Sequence, residues 1–486
     1  MKTQLTNRLS ASCRAIAKRR RVSLSCPPKP TVLQRFSGGG WRRRKPLAFP
    51  LRLLWAAALV LPTFGAQAAV VLTTLHLFTG TNDGANPQAG LAQGSDGYFY
   101  GTTTKGGGTN GVGYGGYGTV FKISTNGELT TLYSFGTITN ANGVALDGAD
   151  PVAGLVQGSD GYFYATTEGG GTNGVEYGGY GTVFKISTTG ALTSFYSFTG
   201  GNDSAHPQTG LVQGSDGSFY GTTSAGGTNG DGTVFKIGTT GALTALHSFT
   251  GGEDGGNPES GLVQGSDGYF YGTAFSGGNS NLNYGYGWGT VFKISADGLM
   301  TTLYSFTNGS DGGYPTASLV QGSDGSFYGT TWAGGTNGDG TVFKISTTGT
   351  LTTLHSFGGT DGEFPDAGLV QGSDGYFFGT TCGASDGGIV DPFFPEPGTV
   401  FKISANGALT SLYSFTGGSA GANPQAGLVQ GSDCSFYGTT FSGGLGGAGT
   451  VFRLTIVPEF QAVTLVNNML NLTWSTEAGG SYKLPA

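Results

Sequence analysis

Charged residues are scarce in this chain. Only 11% of its 486 residues are Asp, Glu, Lys or Arg, against about 25% in an ordinary soluble domain. Histidine and cysteine are scarcer, with 4 each. With so few histidines no three-His zinc centre is evident, nor is a G-x-S-x-G elbow or a Cys–His pair. Two of the cysteines, Cys13 and Cys26, fall in the N-terminal leader, so the body holds only Cys382 and Cys434 and no disulfide framework. No segment sustains a 3.6-residue apolar period, which excludes a helical architecture. The 95 glycines follow no three-residue repeat, which excludes collagen, and 12% aromatic residues exclude a disordered chain. Glycine, threonine and aromatics in abundance point instead to many short strands joined by tight turns.

The charge is divided along the chain. Residues 1–68 hold 14 Lys and Arg and no acid, which leaves 9 basic residues against 29 acidic ones in the remainder. An acidic body excludes nucleic acid as a partner, since that requires a basic surface. The basic stretch Arg42-Arg43-Arg44-Lys45 precedes an apolar run that ends in Ala66-Gln67-Ala68. This is the pattern of a cleaved export signal, so residues 1–68 are expected to be removed and the protein to be secreted or held in the cell envelope. The apolar run is short and interrupted, so no stable transmembrane segment is expected after cleavage.

The body is written in repeats. The tetrapeptide QGSD begins at Gln93, Gln157, Gln213, Gln264, Gln321, Gln371 and Gln430, at spacings of 50 to 64 residues. Each unit contains four strand-like pieces: A (GLVQG), B (YFYGTT), C (GTVFKIS) and D (LTTLYSF). SDG between A and B, and TTG or TNG between C and D, are tight hairpin turns. Four antiparallel strands per unit of about 50 residues is the signature of a propeller blade. A lone sheet of this composition has two apolar faces, and stacking each blade between neighbours buries both.

The phase of the repeats sharpens the reading. The body opens with a D piece from Leu72 and ends with a C piece from Gly449. Seven D pieces and seven A-B-C triplets are therefore offset by one strand. The expected fold is an all-β, seven-bladed propeller over residues 69–456, closed by the N-terminal strand joining the last blade, which removes the open edges. Cys382 and Cys434 then lie at opposite ends of strand B, about 20 Å apart, too far to bond.

The unit GLVQGSDGYFYGTT…GTVFKIS…LTTLYSF resembles the GloVer tandem repeat of choice-of-anchor tandem-repeat proteins, over about residues 72–455. The blade pattern is also similar to that of NHL-type propellers, which implies that A is the innermost strand. The resemblance implies secretion and surface display and carries no particular activity. Residues 457–486 depart from it. They resemble the start of an immunoglobulin-like or fibronectin-like module that stops after two or three strands, and no C-terminal anchor is expected from them.

In this fold the A–B and C–D turns share one face, and the variable B–C and D–A loops share the other. Four B–C loops are long and aromatic, with Tyr114 and Tyr117, Tyr177 and Tyr180, Tyr284, Tyr286 and Trp288, and Phe393 and Phe394; the short loop of blade 5 carries Trp332. These rings are candidates for stacking on sugar or on a protein partner; the alternative is that each folds down over its own blade. The D–A loops carry Asp83, Asp203, Asp254, Asp311 and Asp361, the last three in a G-x-D-G-x-x-P pattern that the first two approach. They are turn formers and weak Ca²⁺ candidates, since one Asp per loop is too few for that ion; no other cofactor is expected. The strand C Lys residues are expected to snorkel or to pair with an acid of the neighbouring blade. His76, His247 and His355 stand where other D strands have Tyr, as aromatic substitutes.

The blades look too alike to assemble a catalytic site from different residues, which counts against an enzyme. The first expectation is a monomeric, non-enzymatic binding scaffold for a glycan or surface protein. A polysaccharide lyase or hydrolase and a purely structural surface repeat are the alternatives.

Overall fold

The structure is a computed structural model and describes residues 69–108, 115–174, 178–279, 281, 283, 286–359, 361–383, 398–444, 446–457, 460–466, 469–474 and 481–483. The described residues form seven four-stranded antiparallel sheets and no α-helix. Blade 1 runs Ala92–Gln93 (A), Phe99–Thr103 (B), Thr119–Ile123 (C) and Leu129–Ser134 (D). Blades 2 to 6 repeat it. Blade 7 takes Val429–Gln430, Phe436–Thr440 and Thr450–Val457 from the end of the repeats and completes its sheet with Ala69–Leu77 from the beginning. The expected one-strand offset is thus the closure of the ring.

Closure is reinforced by side chains. Phe99 of blade 1 stacks on Tyr437 of blade 7 at 4.0 Å. The same contact joins the other neighbours, as in Tyr100 with Phe163 at 3.9 Å and Tyr271 with Phe327 at 3.9 Å. The first and second aromatics of strand B therefore face opposite sides of the sheet, and each blade offers one ring to each neighbour. Both are buried, and each pair adds about 0.5–1.5 kcal/mol beyond its area.

Every residue of QGSD has a place in this contact. The Gln carbonyl oxygen accepts the Ser N–H of the preceding blade, as in Ser95 N to Gln157 Oε1 at 2.9 Å, and Ser432 N to Gln93 Oε1 at 3.1 Å closes the circle. The Gly leaves room for aromatic rings: a Cβ at Gly94 would sit 2.7 Å from Tyr100 and 3.1 Å from Phe163 of the next blade. The Asp holds the turn, accepting Tyr98 N–H at Oδ1 (3.2 Å) and the Tyr100 hydroxyl at Oδ2 (2.7 Å). The following Gly97 has φ 86; at the matching place blade 7 carries Cys434, held at φ 64.

Lys236 and Lys344 of strand C pair with an acid of their own blade and not of the neighbour's. Where the turn is followed by Ser, Lys236 and Lys344 pair with the QGSD acid of their own blade, Asp216 and Asp324, each at 2.7 Å. Where it is followed by Tyr, Lys122, Lys185, Lys293 and Lys402 lie over that ring, as in Lys122 at 5.1 Å from Tyr98. The neighbouring blade offers a carbonyl to Lys122 (Thr188 O, 3.2 Å) and to Lys293 (Thr347 O, 3.3 Å). The hairpin pairs Tyr100 directly with Lys122, so the nearest acid is intrablade.

Val70–Thr455 form one compact unit, and residues 1–69 and 456–486 fall in a second. The described part of the second is a three-stranded antiparallel sheet of Phe460–Val466, Met469–Trp474 and Ser481–Lys483. Among the described residues no helix is long and apolar enough to cross a membrane.

Candidate functional site

Each D–A loop reaches strand A through a proline, and the residue after it faces the axis. Gln88, Val152, Gln208, Glu259, Thr316, Asp366 and Gln425, one from each blade, line a single cavity of about 360 Å³ together with Glu168. This is the mouth of the axial channel on the loop face. A second cavity of about 150 Å³ shares the ring and is walled by residues that open strand A, such as Gly90, Gly154 and Ser318.

The mouth is polar and carries three acids, Glu168 of blade 2, Glu259 of blade 4 and Asp366 of blade 6. Withdrawal from water, with Asp366 and Glu168 nearby, pushes the Glu259 carboxyl up to about 7. Burial raises Asp366 as well, and raises the thiol of the buried, free Cys382 beside it. Gln208 Nε2 donates to Glu168 Oε1 at 2.9 Å. The Gln425 side-chain oxygen is buried and accepts nothing from the described protein groups. The ring therefore presents oxygen acceptors together with a carboxyl that titrates near neutral pH, a set suited to hydroxyl-bearing ligands. The blades, alike elsewhere, vary here. The residue after each loop proline is Gln in three blades and Val, Glu, Thr or Asp in the other four, and that variation was the signal.

A second ring lies just outside the first. The residue before the proline is in the left-handed region in all seven blades: Asn86, Asp150, His206, Asn257, Tyr314, Phe364 and Asn423 have φ between 50 and 55. In most blades its polar side chain latches onto the preceding blade. Asn86 Nδ2 donates to Phe441 O at 3.0 Å, Asn257 Nδ2 to Ser224 O at 2.9 Å, Asn423 Nδ2 to Cys382 O at 3.0 Å, and His206 Nδ1 to Glu168 O at 3.1 Å. Asp150 receives Lys105 Nζ at 2.6 Å instead.

Blades 5 and 6 replace the latch with rings. Tyr314 stacks on Phe275 at 4.6 Å, meets Trp288 edge-on at 4.9 Å and approaches Trp332 at 6.5 Å. Trp332 stacks on Phe364 at 5.0 Å. These five rings, from three adjacent blades, make a partly exposed aromatic row in the sector that holds Glu259 and Asp366.

The expected loop aromatics divide. Trp288 and Trp332 join the row, and Tyr286 is 72% exposed on the blade 4 loop. Tyr117 and Tyr180 fold down onto the D–A loop that follows their blade: the Tyr117 hydroxyl donates to Gly143 O, and Tyr180 lies against Gly200 and against Gly174 of its own loop. Tyr114, Tyr177, Tyr284, Phe393 and Phe394 lie outside the described residues. Phe275, Tyr314 and Phe364 were not anticipated; for Tyr314 and Phe364 the signal was the pre-proline position, which is Tyr or Phe in only these two blades.

The D–A loop acids all serve their own turns. Asp83 accepts His76 Nε2 and Thr79 N, each at 3.0 Å; Asp254 accepts His247 Nε2 at 2.9 Å; Asp361 accepts His355 Nε2 at 2.6 Å. Asp203 and Asp311 accept the hydroxyls of Tyr196 and Tyr304 at 2.7 and 3.1 Å. The three histidines thus fill the tyrosine place and make the tyrosine contact. Among the described residues no group of three or more His, Cys, Asp or Glu is placed to hold a metal ion.

Comparison with known proteins follows this geometry. A streptogramin B lyase structure is similar, with 15% identity over 80% of this chain and 98% of that one and a TM-score of 0.50. A PQQ-bound aldose sugar dehydrogenase from Streptomyces coelicolor aligns at 14% identity over 66% and 96%, with a TM-score of 0.39. A gluconolactonase from Xanthomonas campestris aligns at 12% over 57% and 78%, with a TM-score of 0.35. At such identities the likeness is one of fold alone. No curated protein matches the sequence. Residues 64–213, 173–391 and 282–478 match the Gloeobacter/Verrucomicrobia repeat, and the chain belongs to that family.

Proposed function

We propose that this protein is an exported, non-enzymatic binding scaffold that holds a hydroxyl-rich ligand, a glycan, on its loop face at the channel mouth. One observation carries the reading. The residue after each loop proline, of five kinds over the seven blades, lines one cavity, while the opposite face repeats the same tight turns. Rigid repeats with variation gathered at a cavity are the expected layout of a binding site on a scaffold. The basic leader supports export, and the acidic body argues against nucleic acid.

A second reading, a lyase or hydrolase on polysaccharide, is favoured by Glu259. A carboxyl titrating at about 7 suits general acid–base work. One experiment separates the two. The protein and the double variant Glu259→Gln, Asp366→Asn are titrated with a panel of soluble polysaccharides by calorimetry, and the same mixtures are assayed for new reducing ends. Binding that the double variant loses, without products, supports the scaffold. Products made by the parent and not by the variant support the enzyme. Binding that survives both substitutions removes the mouth from consideration.

A further inference from the structure

We propose that Phe275, Tyr314, Trp332 and Phe364 form a platform for the apolar faces of pyranose rings, so that a glycan chain lies across blades 4 to 6 with one end at Glu259 and Asp366. This rests on the loop-face reading above and assigns its ligand a path.

Tyr314 and Phe364 have φ 55 and 53, where bulky side chains are disfavoured and Asn is well tolerated. Three other blades place Asn there and tie it to the preceding blade's carbonyl. An interblade contact therefore has an unstrained solution that this chain already uses. Aromatic residues at the strained position, in two adjacent blades only, point to a role other than holding blades together.

Placement points the same way. The rings are only partly covered, and they continue from one blade to the next through the 4.6 Å and 5.0 Å stacks. Each strained aromatic is two residues from a channel-lining side chain, Tyr314 from Thr316 and Phe364 from Asp366. A continuous apolar strip ending at carboxyl groups matches a ligand with apolar C–H faces and hydroxyl edges. Asn283 Nδ2, which donates to the Tyr314 hydroxyl at 3.0 Å, and Trp288 brace the central ring.

The test uses the chain with its propeller intact. The double variant Tyr314→Asn, Phe364→Asn restores the latch of the other blades and is expected to melt no lower than the parent. It is titrated against β-glucan, xylan, chitin oligosaccharides and α-glucan, beside Trp332→Ala and Trp332→Phe. The expected result is that one polysaccharide class binds. Its affinity falls at least about tenfold in the double variant and in Trp332→Ala, and is largely kept in Trp332→Phe. Unchanged affinity in the folded double variant and in Trp332→Ala overturns the platform; if Glu259→Gln, Asp366→Asn still abolishes binding, the mouth reading survives that failure. A double variant that melts well below the parent shows the rings to be structural and also overturns it. Binding by none of the polysaccharides overturns both.

Discussion

Replacing Glu259 by Gln should make the propeller more stable at pH 8 and nearly leave it unchanged at pH 4. The folded state raises this carboxyl from 4.5 to about 7 because burial disfavours its charge, with Asp366 and Glu168 adding repulsion. A raised acid binds its proton more tightly when folded. Its contribution is therefore full below about 4.5 and is lost as pH climbs through 7. The shift of about 2.5 units corresponds to roughly 3 kcal/mol at 1.36 kcal/mol per unit. Gln is neutral throughout and escapes that loss. For a unit of about 390 residues, an unfolding entropy near 0.8 kcal/mol/K converts 3 kcal/mol into about 4 °C. The assay is thermal unfolding of parent and variant at half-unit steps from pH 4 to 8. The difference between the two should open across this window, reaching about 4 °C at the top. Other groups titrate in both proteins and cancel in the difference. A variant that tracks the parent at constant offset would refute the assignment of a buried, raised carboxyl to the channel mouth.

Three further outcomes follow from the blade contacts. Phe163→Ala removes a fully buried ring stacked at 3.9 Å on Tyr100 and should cost about 3–5 kcal/mol, read by chemical denaturation. Gln264→Ala removes the clasp to Ser215 N at 2.9 Å, which is exposed, and should cost only about 1 kcal/mol in the same measurement. His247→Tyr should change stability at pH 8 by less than about 1 kcal/mol, because Tyr196 makes the same contact to Asp203 that His247 makes to Asp254. A larger loss would show that the histidine does more than fill the aromatic place.

The scaffold was legible because its signals are local and repeated. Strand period, hairpin chemistry and the one-strand offset each depend on a few adjacent residues, and seven copies average out the exceptions. The clasp of Gln157 on Ser95 and the stack of Tyr100 on Phe163 were not legible. They join residues about 60 positions apart, and nothing in either segment names its partner. The lysines show the same limit. Whether Lys236 meets Asp216 or Lys122 covers Tyr98 depends on one residue after the turn, Ser218 or Tyr98, whose consequence appears only when strands B and C are paired. The channel mouth was hidden for a geometric reason. Glu259 and Asp366 are 107 positions apart and each looks like an ordinary loop acid; only the ring brings them to one cavity.

Repetition and variation carry different information in such a fold. A contact that each blade must make with the next is required seven times, so QGSD and the strand B aromatics recur for mechanical reasons. A residue at the axis or the loop rim is released from that requirement. There the copies are free to diverge, and the direction of divergence becomes informative. Asn, Asp and His before the loop proline are what a left-handed backbone prefers, and they need no functional explanation. Tyr314 and Phe364 run against that preference in the same sector as Glu259 and Asp366. Two departures from the repeat, each disfavoured by itself and both on one side of one face, are better explained by a ligand that needs rings and carboxyls together than by the assembly of the ring, which five other blades achieve without them.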